Sequence, residues 1–284
     1  MFYPVRTDMA DEAHRLLNRS SGDSRELAGV EALEVSICGL SVSGIRILDD
    51  NGARALGRPA GAYYTLRLPE HFDRGSADFS SAVTALSQLI GRCLGSRPES
   101  VLVAALGNPD ITPDALGSLA ASSVLVTRHL KSSDDETFRG FCSLALCRPG
   151  VLGTSGMESA WQISLLAARL RPQAVIVIDA LAGSDTERLC RTVQVCDTGI
   201  SPGSGVGNDR AEISAATLGV PVVSIGMPTV IDAGIFGGEQ LSGMFVTPRN
   251  IDFVVRHAAR VIGYAIDLAV HPGISLEDID SLAG

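Results

Sequence analysis

The spacing of apolar positions divides the chain into three stretches. Residues 1–29 are polar and lack a long apolar repeat; a short helix is predicted over 10–17, and the stretch is expected to form an arm. Over 30–68, three short runs rich in β-formers (32–38, 44–48 and 63–68) are separated by Gly-containing turns, which predicts a meander of strands. Phe79, Ala82, Val83, Leu86, Ile90 and Cys93 then recur at helical spacing. Beyond that helix the pattern alternates. Residues 100–106 and 174–178 are continuous apolar runs, each followed by a polar or acidic segment, as expected for strands buried on both faces of a parallel sheet. Further strands are predicted at 193–196, 221–225 and 244–246, and helices at 113–122 and 156–170. Ile251, Val254, Val255, Ala258, Val261 and Ala265 mark a long amphipathic helix. The sum is an α/β fold, three-layer α/β/α with a mixed, largely parallel sheet, in one domain over 30–284.

Composition supports a single globular body. A chain of 284 residues, 45% hydrophobic, can bury about three quarters of its unfolded surface. The net charge of −9, with basic residues scattered, disfavours a nucleic-acid or anionic-membrane surface, which needs a clustered positive patch. The first fifteen residues carry no apolar core, and the apolar stretch 218–238 is interrupted by Pro221, Pro228 and Asp232, so neither a signal peptide nor a membrane span is expected. The six cysteines form no CxxC pair and sit mostly among apolar neighbours, as reduced thiols in a reducing, cytoplasmic compartment do.

Ligands of open α/β sheets gather outside the carboxyl ends of the strands. Two acids fall there: Asp114, in the segment after the strand VLVAAL, and Asp179, where the strand AVIVI ends. Each has a structural explanation, Asp114 as an early-helix acid behind Thr112 and Pro113, Asp179 as a turn cap. Together they form a candidate pair, because adjacent carboxyls split their titrations and serve as base and acid towards water. The Gly-rich segment 201–208, with Gly203, Ser204, Gly205, Gly207 and Asn208, lacks the Lys-Ser/Thr of a phosphate loop. A close backbone approach to a substrate or another strand suits it better. There is no GxSxG elbow, no HExxH and no zinc spacing among the dispersed histidines; His129, just past a predicted strand, lies nearest the expected sheet edge.

The strings RTDMA (6–10), LGNPDITPDALG (106–117), TRHL (127–130), PGVLGTSGMES (149–159), IDALA (178–182), DTGISPGSGVGNDR (197–210), GVPVVSIGMPTVIDA (219–233) and MFVTPR (244–249) occur in order over nearly the whole chain. Together they resemble the spore germination protease family. The resemblance implies an endopeptidase that degrades small acid-soluble, DNA-protecting spore proteins, on a fold similar to the hydrogenase-maturation proteases. It implies an atypical aspartic mechanism whose two catalytic aspartates match Asp114 and Asp179, made as a self-processing zymogen that assembles as a homotetramer in the spore core. The chain is shorter than other members, chiefly before Arg6 and between Asp232 and Met244.

The expected mechanism is attack by a water held between Asp114 and Asp179, without a cofactor. Asn108 and His129 are expected as supporting groups, and the 203–207 loop as a source of backbone donors. Family substrates are cut after an acidic residue and before an apolar one, which Asp8 and Met9 match, so residues 1–8 are expected to be a propeptide. The competing reading of Asp8 is an N-cap for the helix at 10–17. Two other functions remain compatible with the sequence. One is a metal-dependent endopeptidase with Asp114, Asp179 and His129 as ligands; the other is a non-catalytic binding protein on the same fold.

Overall fold

The computed structural model describes residues 7–21, 27–132, 138–207 and 210–283. Its strands are β1 (Val30–Ile37), β2 (Leu40–Ile47), β3 (Gly61–Arg67), β4 (Ser100–Ala105), β5 (Ser143–Cys147), β6 (Ala174–Gly183), β7 (Thr192–Cys196), β8 (Val222–Asp232) and β9 (Phe245–Val246). The helices are α1 (Ala10–Ser21), α2 (Asp50–Leu56), α3 (Ala77–Leu94), α4 (Leu116–Ala120), α5 (Leu152–Ser155), α6 (Ser159–Leu170), α7 (Ala215–Leu218), α8 (Gly234–Gly237), α9 (Ile251–Val270) and α10 (Leu276–Ala283). The strands form one mixed sheet in the order β1-β2-β3-β7-β8-β6-β4-β5, with β9 paired to β8. The expected parallel character holds for β5-β4-β6-β8, while the meander, β7 and β9 pair antiparallel.

Strand alternation produces the layers. Val101, Val103, Ile176 and Ile178 face a core shared with α3 and α9, whereas Leu102, Ala104, Val175 and Val177 face Ile163 and Ala167 of α6. Each such side chain, taken fully out of water, contributes about 1.5–3 kcal/mol. The helices start where the sequence supplies caps: Ser76 Oγ accepts the Phe79 N–H at the head of α3, and Asp49 accepts the Asn51 and Gly52 N–H groups at the head of α2.

The segment expected to be an arm is part of the body from Met9 onward. Met9 and Ala10 are fully buried, and Ala10 joins a core with Val30, Ile45, Ile47, Leu56 and Tyr63. The first turn of α1 carries two acids, both buried. Asp11 pairs with Arg188, and Glu12 Oε2 accepts the Ser184 N–H at 2.6 Å and the Ser184 hydroxyl at 2.8 Å. A helix that reads as polar is thus held by specific partners for its acids as well as by Ala10, Ala13 and Leu17 on the core. Among the described residues no helix is long and apolar enough to cross a membrane.

Candidate functional site

The site forms where β4 stops and β6 continues. Ala105 pairs with Ile178, and the Leu106 N–H donates to the Ile178 carbonyl at 2.8 Å. The chain then turns at Gly107, whose φ of 94° lies in the left-handed region; a Cβ there would overlap the Asp114 carbonyl. Asn108 Oδ1 accepts the Asp110 N–H at 3.0 Å, tightening the turn, and its own N–H donates to Asp114 Oδ2 at 2.8 Å. Thr112–Asp114 is a single 3-10 turn with Pro113 near its start. Thr112 does not cap it: its hydroxyl donates to Asp252 Oδ1 at 2.8 Å. Gly117 lets α4 sit directly on the Leu106 and Ile178 carbonyls, where any side chain would collide. Asp114 is therefore placed by contacts with the end of β4, and Asn108 supports it through the main chain.

Asp179 does not end its strand. It lies within β6 opposite Gly226 of β8, and β6 continues to Gly183 past an irregularity between Leu181 and Ala182. It stands one residue past the level at which β4 runs out, so its side chain reaches the cleft although its backbone remains in the sheet. Burial pushes the Asp179 carboxyl well above the usual carboxylate range, the neighbouring Asp114 charge adds to this, and Asp8 adds further; the Ala180 N–H, donating at 2.9 Å, opposes it. Asp114 is also raised, by burial, against the Asn108 N–H. A carboxyl raised by burial and by a neighbouring acid stays protonated at pH values where a free carboxyl is charged. Asn108, Asp114 and Asp179 line one cavity of about 780 Å³.

Asp8 lines the same cavity. Its N–H donates to the Ala182 carbonyl at 2.8 Å, and its Oδ2 accepts the Ala182 N–H at 2.9 Å. Its Oδ1 accepts the Ser204 hydroxyl at 2.8 Å and lies 3.7 Å from the Arg58 guanidinium, which also donates to the Thr7 carbonyl. Gln194 clamps the flanking backbone: Nε2 donates to the Asp8 carbonyl at 3.2 Å and Oε1 accepts the Ala10 N–H at 2.8 Å. Asp8 is thus a guest of the cleft and not the cap of α1; the Met9 N–H donates to Thr7 Oγ1 at 3.1 Å.

The Gly-rich loop packs against the amino-terminal segment. A Cβ on Gly205 would overlap Asp8 Oδ2 and crowd the Ala182 side chain. Gly203 and Ser204 line the cleft, and Gly207 closes the single 3-10 turn with a φ of 72°. Asn208 lies outside the described residues. His129 is elsewhere: it follows Thr127, which is tied to Cys142 and Leu144 at the amino end of β5, opposite the carboxyl ends that carry Asp114 and Asp179. The segment before it forms a 3-10 turn and an irregular run rather than a strand leading to the site. The three ligands of a metal reading are not brought together, and no group of three His, Cys, Asp or Glu among the described residues could hold a metal ion.

Two acids whose titrations are raised by burial and a docked stretch of the chain's own backbone thus line one cavity. The germination protease model of the A25 peptidases matches residues 7–241. The chain is 34% identical over 330 aligned positions to a germination protease of Clostridium perfringens (ATCC 13124), with 98% of both chains covered. It is 35% identical to one of Caldanaerobacter subterraneus subsp. tengcongensis, again with 98% of both covered, and 37% identical to one of Bacillus mycoides, with 91% of this chain and 69% of the relative covered. The chain belongs to the germination protease family and is a germination-related endopeptidase. Among solved structures, a [NiFe] hydrogenase maturation protease, HycI from Thermococcus kodakarensis, aligns with a TM-score of 0.36 and 14% identity over 63% of this chain and 98% of that one.

Proposed function

We propose that the chain is an aspartic-type, self-processing zymogen that hydrolyses small acid-soluble spore proteins in the spore core, acting as a homotetramer with no cofactor. Asp114 and Asp179 hold the attacking water. One carboxylate takes a proton from the water as its oxygen bonds to the scissile carbonyl carbon, while the other, still protonated, protonates the carbonyl oxygen. When the C–N bond breaks, the departing amine takes the proton held by the first carboxyl, and the diol proton returns to the second, so the pair ends as it began. The raised pKa values of both carboxyls suit this division of labour.

The observation that carries the reading is that Asp8 shares one cavity with Asp114 and Asp179, its backbone bonded to β6 as a substrate strand would be. That position supports self-cleavage between Asp8 and Met9. N-terminal sequencing after incubation under activating conditions tests it. The wild-type chain should begin at Met9 and Asp179→Asn at Met1; an intact Asp8–Met9 bond in a chain that degrades spore protein would refute the processing step.

A further inference from the structure

We propose that Arg58, Ser204 and the Ala182 N–H form a subsite that selects a carboxylate side chain on the residue immediately ahead of the scissile bond, with Arg58 as its specificity-determining residue. This rests on the reading of the cleft as the peptidase site. Around Asp8 the backbone contacts are indifferent to sequence. The Ala182 carbonyl and the Gln194 amide would hold any residue in that position. The side chain is treated differently. One carboxylate oxygen takes the Ala182 N–H, the other takes the Ser204 hydroxyl, and the Arg58 guanidinium stands 3.7 Å from the latter.

Charge decides why a cation is required. The cleft already contains Asp114 and Asp179, and Asp8 raises the Asp179 carboxyl further, so a third acid is repelled by the catalytic pair. An acidic residue is favoured only if a cation offsets that repulsion. Arg58 supplies it from a half-buried position, with 21% of its side chain exposed against 12% for Asp8. Arg210, the arginine that lines the main cavity, is paired with Glu158 at 3.6 Å. Size is filtered as well as charge, because Gly205 walls the cradle where a Cβ would overlap the carboxylate. An amide in place of the carboxylate would turn its NH2 towards one of the two donors and lose that bond.

The test is a double-mutant cycle on self-cleavage of the full chain, followed by mass spectrometry of the N-terminus. Asp8→Asn and Arg58→Ala should each slow cleavage by about tenfold to a hundredfold, the loss of a charge-assisted contact. The double variant should be no slower than the worse single one, and Arg58→Lys should recover part of the rate. Thermal melting of each variant separates misfolding from lost selection, and Arg58→Gln serves if Arg58→Ala does not fold. In parallel, the peptide PVRTDMADEA (4–13) and its Asn-for-Asp8 analogue are offered to wild type and Arg58→Gln. Arg58→Gln should lose most of the preference for the acidic peptide. An unchanged preference, or independent effects of Asp8 and Arg58, overturns the subsite while leaving the peptidase reading intact. Failure of wild type to cut either the peptide or itself overturns both.

Discussion

The Ser204 hydroxyl donates to Asp8 Oδ1 at 2.8 Å across 196 residues of chain. That bond makes the Gly-rich loop and the amino-terminal segment two sides of one cradle, beside the paired aspartates.

Removing either catalytic carboxyl should abolish cleavage. Asp114→Asn and Asp179→Asn are each expected to reduce turnover to background, and the double variant to be little worse, because the pair acts as a unit. In wild type, kcat/KM should follow a bell-shaped pH profile whose acid limb lies above the ordinary carboxylate range, since both carboxyls are raised.

Asp179→Asn should also be more stable than wild type at neutral pH, by about 0.5–2 kcal/mol. A carboxyl whose folded pKa is raised binds its proton more tightly in the folded state, so its contribution is favourable in acid and is lost as pH rises through the folded value. The amide never ionises. Urea unfolding at neutral pH compares the two.

Gly205→Ala should expel Asp8 from the cleft, because the added methyl meets both the Asp8 carboxylate and the Ala182 side chain. Overpacking of this kind costs about 1–3 kcal/mol where nothing can yield. Asp8 can leave but the Ala182 Cβ in β6 cannot, so melting temperature should fall while self-cleavage drops at least about tenfold, read by thermal melts and time-resolved mass spectrometry.

Arg188→Met should cost about 3–5 kcal/mol at neutral pH, because it leaves Asp11 buried without its cation. Burial already raises the Asp11 carboxyl, so in mild acid the stranded group takes up a proton and the penalty shrinks. Asp11→Asn combined with Arg188→Met should recover much of the loss. Denaturant titrations at two pH values check both statements.

His271 should set part of the acid limit of stability. It is fully buried on the ring face of Phe141, and burial pushes its imidazole down to about 4. A histidine lowered on folding is charged more readily in the unfolded chain, so stability is lost as pH falls from about 6.5 towards 4. Asp267, whose Oδ1 lies 3.8 Å away, is itself raised by burial and so carries less compensating charge as the pH falls. His271→Phe should flatten this decline in pH-resolved thermal melts.

The meander, α3, the buried strands and α9 were legible because their apolar positions repeat with one period over enough residues. β5, Ser143–Cys147, was not: it is a short edge strand, mostly half-exposed, with no run to distinguish it from loop. β6 and β8 extend further than their apolar runs suggest, because Asp179 and Thr229 are polar residues held inside the sheet. Asp114, beyond β4, and Asp179, at the end of an apolar run within β6, were candidates from sequence alone. Arg58 could not, since it lies in an unpatterned turn and meets its partner only in the folded chain. Gln194 left a clue in the run TVQVC, where an amide in an otherwise apolar strand signals a buried hydrogen-bonding duty.

The arm's contacts also fix an order of events during synthesis. Asp8 reaches Ala182 and Ser204, and Ala10 reaches Gln194, across 174, 196 and 184 residues. At a ribosomal rate of about 5–20 residues per second, the emerging terminus waits roughly 10–40 s before Ser204 exists. Before residues 184 and 188 are made, Glu12 and Asp11 lack Ser184 and Arg188 as partners. A nascent chain halted within β6 has a terminus but no walls to hold it, so full docking of Asp8 is a molecular record that translation has passed Ser204.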